Sequence, residues 1–429
     1  MNFGRCLSIG NYCSSNVKQI PITGIKILIV KKLLLLLSLV SPTFMVSCMN
    51  REAGDSLSIP YVREVLSDTT SLTYRIIADG CPDRRDGTIA VVGQEFDVFS
   101  VARELVNCDY FDNVDGHMRP DGLPDFAGET IAMICDNANE PYQGYLDNNN
   151  ENYLKELSVK NFISAVDTTC ALNPFDRKTN IHKTGSKIVI LASSYSSAFG
   201  YDDVMRLVKS AGSDIAVISP VHSMFNYAVR KHSEKGCFGV WTTEKELGAG
   251  IYSIVKADLE KKYPGLEYDA FCPVYAEALK DRILSFLEMY KEAGKEKVLD
   301  AVIVDEAGLK ADDLNRTLQE MISKNDGTMM KYIDMVSENF EFIDARRTVV
   351  ADCIAYLRDR NLFTHKVAYP ALAMYATVPA SGLADQDYNA DGSLSDSFKY
   401  NRAENSDFET YLLMEKSLIP TTFDAYVPK

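Results

Sequence analysis

The segment at residues 89–106, IAVVGQEFDVFSVARELV, joins a strand pattern directly to a helix pattern. Its first four residues form a continuous apolar run, which is typical of a parallel strand covered on both faces. Apolar residues then recur at helical spacing over residues 97–106. The segment therefore predicts a strand followed by a helix, the repeating unit of an α/β protein.

The same alternation continues along the chain. Helical stretches such as residues 202–212, 251–263 and 276–294 separate further apolar runs, at residues 129–135, 186–194, 213–220, 237–243, 267–273 and 299–305. Each run is continuous rather than alternating, as expected of parallel strands that are buried on both faces. The predicted fold class is therefore α/β, with open and mostly parallel sheets.

Candidate ligand-binding residues follow from this fold class. In open α/β sheets, ligands bind at the carboxyl ends of the strands. The residues at the ends of the predicted strands are Gly93, Gln94, Glu95, Asp136, Asn137, Ser193, Ser194, His222, Thr242, Thr243, Glu244, Cys272, Pro273, Asp305 and Glu306.

The composition permits a sizeable core and excludes nucleic acid as a partner. Hydrophobic residues make up 46% of the chain, and the net charge is −15. Nucleic-acid phosphates would be repelled by such a surface unless a basic patch offset the charge. Lysines and arginines are scattered, and no run of them is longer than a pair, as at Lys31-Lys32 and Lys261-Lys262.

The cysteines favour neither a disulfide scaffold nor a zinc cluster. Seven cysteines follow Cys48, an odd number without a CxxC pair. We interpret them as small buried hydrophobic residues, at positions Cys81, Cys108, Cys135, Cys170, Cys237, Cys272 and Cys353.

The N-terminal region resembles the signal of an exported bacterial lipoprotein. Lys31 and Lys32 precede a leucine run at residues 33–37, and small residues precede Cys48, which is the order of a secretory signal. The apolar run is too short and too soon interrupted for a comfortable membrane span. A cysteine directly after a small residue resembles the lipobox, in which the thiol is lipidated. We predict export and a lipid anchor at Cys48, facing the periplasm or the cell surface; an ordinary signal peptide is the alternative.

Taken in order, the strand ends resemble the aspartate/glutamate racemase superfamily, and glutamate racemase most closely. Residues 89–106 match the family's first strand and glycine-rich turn without a gap, with Gly93-Gln94-Glu95 in place of Asp-Ser-Gly. Residues 134–145 match its Asp-x-Ala-x-x-Pro-Tyr-Gly loop through Asp136, Ala138, Pro141 and Tyr142.

The resemblance continues through the rest of residues 87–360. Residues 188–194 are similar to the strand that ends in Ala-Cys-Asn-Thr, and residues 299–308 fall where the family has Gly-Cys-Thr-His. Cys272 and Pro273 match an Ala-Cys-Pro-x-Phe segment. Residues 239–252 match the Gly-Val-x-Ala-Thr-x-x-Thr segment through Gly239, Val240, Thr243, Glu244, Gly250 and Tyr252.

The resemblance implies two α/β domains with a ligand cleft between them. The predicted boundaries are upstream residues and a signal peptide at 1–47, a tether at 48–86, a first domain at 87–210 and 312–380, a second domain at 211–311, and a polar C-terminal extension at 381–429. A type I periplasmic binding protein, which also has two α/β lobes, is the alternative; three hinge strands between the lobes would identify it.

The positions that carry the family's chemistry have changed. Glutamate racemase uses two thiols, one on each face of the substrate's α-carbon, so that one removes the proton and the other returns it. Here the first position is Ala192 or Ser193, and the second is Glu306. The first-loop acid is replaced by Gly93 and the histidine partner by Gly308. We therefore expect that two-cysteine racemisation has been lost.

Two interpretations of the altered site remain open. In one, the cleft binds a small carboxylate-containing ligand and needs no cofactor. The protein could act in this way as an oligomer. The binding residues would be Gln94, Asp136, Asn137, Pro141, Tyr142, Ser193, Ser194, Thr242, Thr243, Glu244 and Cys272. In the other, carboxylates with raised pKa values replace the thiols in a noncanonical racemase, isomerase or lyase. Its candidate bases are Glu306, Asp305, Glu95 and His222.

A separate loop at residues 387–398, DYNADGSLSDSF, resembles a calcium-binding loop. Asp387, Asn389, Asp391 and Ser393 occupy alternating oxygen positions. Phe398 stands at the twelfth position, where a bidentate acid belongs. The loop is either a calcium site or a solvated polar turn.

Overall fold

The structure is a computed structural model. It describes residues 58–81, 84–113, 115–117, 119–176, 179, 181–404 and 411–416. The elements below all belong to the compact unit Ile59–Lys429.

The chain alternates strands and helices. The strands are β1 (Thr88–Gly93), β2 (Thr130–Cys135), β3 (Thr169–Cys170), β4 (Ile181–His182), β5 (Ser186–Leu191), β6 (Ala216–Ile218), β7 (Cys237–Thr242), β8 (Glu267–Phe271), β9 (Leu299–Asp305), β10 (Val336–Asp344), β11 (Ala371–Pro379) and β12 (Tyr411–Lys416). The α-helices are α1 (Pro60–Ser67), α2 (Leu72–Asp79), α3 (Glu95–Asn107), α4 (Gln143–Asp147), α5 (Glu151–Val166), α6 (Ser194–Phe199), α7 (Tyr201–Ser210), α8 (Pro220–His232), α9 (Glu244–Gly248), α10 (Ile251–Lys262), α11 (Leu279–Glu292), α12 (Ala311–Ser323), α13 (Ala345–Arg360) and α14 (Asp396–Lys399). Short 3₁₀ turns occur at Met329–Lys331, Ile333–Met335 and Asp385–Asp387.

Two mostly parallel sheets organise these elements. The six-stranded sheet has the order β12-β11-β2-β1-β5-β6 and is parallel except for β12, which pairs antiparallel with β11. The four-stranded sheet has the order β10-β9-β7-β8 and is entirely parallel. β3 and β4 form a separate antiparallel pair. The predicted α/β class with open, mostly parallel sheets is confirmed.

The chain passes between the two sheets twice within the described residues. It leaves the six-stranded sheet after β6 through α8, and it returns from β10 through α13. These two helices pack against each other. A periplasmic binding protein of type I would need a third crossing, so this topology does not fit that alternative.

The opening segment shows how the sequence builds one wall of the site. Gly93 ends β1 with φ of +143°, a conformation that L side chains rarely adopt. In α3, Val98, Ala102 and Leu105 are buried at helical spacing and form part of the core on one face of the six-stranded sheet. The opposite side of α3 remains available to line a cleft.

The sheets correct the predicted domain boundaries. β6 pairs with β5 in the six-stranded sheet, although residues 211–311 were predicted to form the second domain. β10 pairs with β9 in the four-stranded sheet, although residues 312–380 were assigned to the first domain. β10 escaped prediction because it is an edge strand with an exposed polar portion, so it lacks the continuous apolar run of a buried strand.

The terminal segments also differ from prediction. The predicted tether contains α1 and α2, whose Val62, Val65 and Ile77 are buried in the core of the six-stranded sheet. The predicted C-terminal extension contributes β12 to the sheet edge. Short amphipathic helices and a single edge strand carry weak local signals, and packing against the sheet stabilises them.

Candidate functional site

A cleft of about 1050 Å³ lies where the strand ends of the two sheets face each other. Gln94, Ser193 and Ser194 line it after strands of the six-stranded sheet. Asp305 and Glu306 line it at the end of β9 in the four-stranded sheet. The cleft therefore lies at the carboxyl ends of these strands, the place where open α/β sheets bind ligands.

Asp305 connects the two sides of the cleft. Ser194 Oγ, which follows β5, donates a hydrogen bond to Asp305 Oδ2 at 2.6 Å. Tyr252 Oη in α10 donates to the same oxygen. Burial raises the pKa of the Asp305 carboxyl, although both hydrogen bonds oppose that shift. The carboxyl is thus held in place at a junction between the two sheets.

Two further carboxyl groups lie near Asp305. Burial, followed by the charge of Asp305, raises the pKa of Asp97 from 3.8 to about 7. The same two causes raise the pKa of Glu246 from 4.5 to about 7. Both groups line the cleft. They change charge near neutral pH, where a general acid or base is most effective.

The loop after β1 is held against the loop after β2. Gln94 Oε1 accepts a hydrogen bond from the backbone N–H of Tyr142 at 3.0 Å. The backbone N–H of Glu95 donates to Glu140 Oε2 at 2.9 Å, and Glu95 Oε2 accepts from Asn137 Nδ2 at 3.1 Å. Gln94 lines the cleft, whereas Glu95 and Asn137 are not among its lining residues.

Asp136 is a structural residue in a buried hydrogen-bond network. Its carboxylate accepts bonds from Asn139 at 2.5 Å, Tyr142 at 2.9 Å, and Asn161 and Thr377 at 2.8 Å each. Asp136 and Tyr142 are completely buried. They stabilise the loop after β2, which contacts Gln94, and they are not exposed to a ligand in the cleft.

Glu306 is paired with a cation, unlike its neighbour Asp305. Arg282 Nη2 donates to Glu306 Oε2 at 2.5 Å, and Trp241 Nε1 donates to the same oxygen at 2.9 Å. The Arg282 guanidinium also lies 5.2 Å from the centre of the Trp241 ring. Of the two adjacent acids, Glu306 is therefore the ion-paired one.

His222 lies inside α8 and is not among the residues that line the cleft. Its Nδ1 shares a hydrogen bond with Ser219 Oγ at 2.7 Å, and its ring stacks on Tyr201 at 4.3 Å. Burial lowers the pKa of His222 to about 4. These contacts are those of a packing residue.

The remaining predicted binding residues lie beside the cleft and do not line it. Thr242 is buried at the end of β7, in register with Asp305. Thr243 caps α9, and its Oγ1 accepts from the N–H of Glu246 at 3.5 Å. The others, Pro141, Glu244 and Cys272, are exposed or half-buried.

Three residues of this site were absent from the predicted set: Asp97, Glu246 and Tyr252. Asp97 and Glu246 lie in the first turns of α3 and α9. Acidic residues are common there because the helix dipole is positive at its N-terminus, so their presence did not indicate a site. Tyr252 was one of the matched family positions. That match was the one signal that could have identified it.

The calcium prediction falls on a loop whose polar groups bond to one another. Asp391 Oδ1 accepts from the N–H and the hydroxyl of Ser393, at 3.0 and 2.6 Å. Asn389 Nδ2 donates to Ser393 Oγ at 3.0 Å, and the Asp387 carboxylate accepts from the N–H of Ala384 at 3.2 Å. Among the described residues, no group of three His, Cys, Asp or Glu side chains is arranged to hold a metal ion. Calcium binding stays a prediction.

The predicted signal and Cys48 lie outside the described residues. Of the helices that are described, none is both long and apolar enough to cross a membrane.

The sequence matches no family model and has no significant match among curated proteins. The structure is similar to solved glutamate racemases. The enzyme from Francisella tularensis, in complex with D-glutamate, is 15% identical with a TM-score of 0.42, over 68% of this chain and 88% of that chain. An isoform from Bacillus anthracis is 14% identical with a TM-score of 0.41, over 68% and 87%. The Campylobacter jejuni enzyme is 17% identical with a TM-score of 0.37, over 67% and 92%. These neighbours are glutamate racemases, the family that the sequence resembles.

Proposed function

We propose that the protein is exported, is anchored to a bacterial membrane by lipid on Cys48, and binds a small amino acid in the cleft. The observation that carries the binding proposal is the convergence of three carboxyl groups, Asp97, Glu246 and Asp305, on one cleft. An ammonium group between them would offset the repulsion that contributes to the raised pKa values of Asp97 and Glu246.

This arrangement narrows the ligand class. A ligand with only carboxylates would meet the same negative charges and be repelled. The carboxylate of an amino acid can instead extend along the cleft, where Arg103, Lys310 and Arg346 also contribute to the lining. A zwitterion therefore suits the site better than a dicarboxylic acid.

Replacing Asp305 by asparagine is expected to weaken amino-acid binding about tenfold or more, because it removes the charge that faces the ammonium group. Isothermal titration calorimetry with L-alanine and N-acetyl-L-alanine would measure this, since acetylation removes the ammonium charge. Asp359→Asn, at an exposed position, is the matched control and should bind like the unaltered protein. Equal binding by Asp305→Asn, or equal binding of the acetylated compound, would contradict the proposal.

The proposal includes the loss of two-thiol racemisation. Of the described residues that line the cleft, Cys108 is the only cysteine, and it is 3% exposed. Burial raises the pKa of its thiol. A single buried thiol cannot supply the two opposed bases that the reaction needs.

A second candidate function is proton transfer by carboxylates, and the pKa of about 7 for both Asp97 and Glu246 favours it. The protein would be incubated with L-glutamate and L-aspartate in deuterated water, and the α-proton followed by NMR. The binding proposal predicts no exchange. Exchange that disappears in Asp305→Asn and persists in Glu306→Gln would instead identify a carboxylate-based enzyme.

Lipidation is tested separately from binding. Metabolic labelling with a palmitate analogue is expected to mark the unaltered protein and to leave Cys48→Ala unlabelled, because the thiol is the acceptor. Cys237→Ala retains Cys48 and serves as the control. Equal labelling of the unaltered protein and Cys48→Ala would show that Cys48 is not the lipidated residue.

A further inference from the structure

The helix α3 runs along the cleft for most of its length. Its residues Phe96, Asp97, Phe99, Ser100, Val101, Arg103, Glu104 and Asn107 all contribute to the lining. A helix of 13 residues is about 20 Å long, at about 1.5 Å per residue. The cleft is therefore an extended groove with α3 as one wall.

One end of this groove is acidic. Asp97, in the first turn of α3, lies near Asp305 and Glu246. Glu246 Oε2 is buried and accepts no hydrogen bond from the described residues. A buried carboxylate oxygen without a donor is costly, and a ligand ammonium group would supply that donor.

The other end of the groove has balanced charges. Glu104 lies seven residues after Asp97, which corresponds to about 10 Å along the helix. Tyr110 Oη donates to Glu104, and Arg346 donates to Asp344. The N–H of Ala311 also donates to Asp344 at 2.8 Å, which places the exposed Lys310 next to this pair. Three basic residues, Arg103, Lys310 and Arg346, and three acidic residues, Glu104, Asp109 and Asp344, line this end.

The groove is larger than a single amino acid requires. At about 30 Å³ for each water-sized group, an amino acid with about ten non-hydrogen atoms needs at most about 300 Å³. The cleft offers about 1050 Å³. Its walls also include the aromatic side chains of Phe96, Phe99 and Tyr110, which can pack on a longer ligand.

We infer that the ligand is a short linear peptide with a free amino terminus, its ammonium group held at the acidic end and its chain lying along α3. This inference rests on the proposed amino-acid site and extends it. At about 3.3 Å per extended residue, a groove of about 20 Å accommodates five or six residues. A polyamine fits less well, because its distal ammonium groups need an acidic partner and the distal end is balanced in charge.

Calorimetry with alanine peptides of increasing length tests the inference on the unaltered protein. We expect pentaalanine to bind at least tenfold more tightly than L-alanine, with trialanine between them. N-acetyl-pentaalanine should bind at least tenfold more weakly than pentaalanine, because it lacks the ammonium group. Equal affinity for L-alanine and pentaalanine, or spermidine binding as tightly as pentaalanine, would overturn the peptide assignment.

A groove-filling substitution provides a second test. Ser100→Trp, in the middle of α3, is expected to weaken pentaalanine binding at least tenfold and to weaken L-alanine binding by a smaller factor. Gln319→Trp, on the exposed side of α12, is the control, and circular dichroism would show that each variant is folded. Unchanged pentaalanine binding by a folded Ser100→Trp would contradict the inference. If L-alanine binds and longer peptides bind no more tightly, the peptide inference fails and the amino-acid site stands. If no compound binds, the proposed function itself fails.

Discussion

Replacing Lys187 by methionine is expected to lower the free energy of unfolding by about 3–5 kcal/mol, because it breaks a buried ion pair. Lys187 Nζ lies 2.8 Å from Glu129 Oε2, and both side chains are 1% exposed. The ammonium group also donates to the carbonyls of Arg85 and Leu362, at 2.8 and 2.9 Å. Burial raises the pKa of Glu129 even though Lys187 opposes the shift, so an unpaired carboxylate at this position would be strongly unfavourable.

Urea unfolding monitored by circular dichroism would measure this loss. The double variant Lys187→Met with Glu129→Gln is expected to recover part of it. Glutamine is neutral, and it can still accept the hydrogen bond that Glu129 Oε1 receives from the N–H of Thr364 at 2.9 Å. Lys324→Met breaks an exposed pair with Glu320 and should cost less than about 1 kcal/mol. A loss below about 1 kcal/mol for Lys187→Met would show that the buried ion pair does not contribute the expected stability.

The second large effect concerns pH and Asp97. A carboxyl whose pKa is raised in the folded state binds its proton more tightly there than in the unfolded chain. The pKa of Asp97 rises from 3.8 to about 7, so this contribution to stability is complete below about pH 4 and is lost as the pH rises to about 7. Asp97→Asn cannot ionise and does not undergo this loss. We expect Asp97→Asn to gain stability relative to the unaltered protein as the pH rises. This relative gain between pH 4 and pH 8 should be about 1–3 kcal/mol, after allowance for partial solvent exposure.

Chemical denaturation at pH 4, 6 and 8 would measure the difference. Asp359→Asn, at an exposed position, should show no comparable change with pH. If the stability difference between Asp97→Asn and the unaltered protein were the same at pH 4 and pH 8, the pKa of Asp97 would not be raised in the folded state.

Local sequence patterns predicted the buried strands of this protein better than its other strands. Continuous apolar runs predicted seven of the strands, because a parallel strand is buried on both faces and its composition reflects that burial directly. Residues at the strand ends then indicated the edge on which the cleft lies. The strands β10, β11 and β12 were missed; β10 and β12 contain exposed residues that interrupt the apolar run, and β11 was not recognised although it lies inside the six-stranded sheet.

The structure separates the predicted site residues into two groups. Gln94, Ser193, Ser194 and Asp305 line the cleft. Asp136 and Tyr142, which carry the clearest family motif, belong instead to a buried network with Asn161 and Thr377. Their partners are distant in sequence, and no local pattern reveals them.

The local order of residues was sufficient for the α/β class and for the edge of the sheets that holds the cleft. Long-range packing gives Asp305 and Glu306 different environments. Arg282 forms an ion pair with Glu306 and Trp241 donates a hydrogen bond to it, whereas Asp305 accepts hydrogen bonds from Ser194, which follows β5, and from Tyr252. The physical reason is that burial and charge pairing set a carboxyl group's chemistry, and the groups that provide them come from strands and helices far apart in the chain.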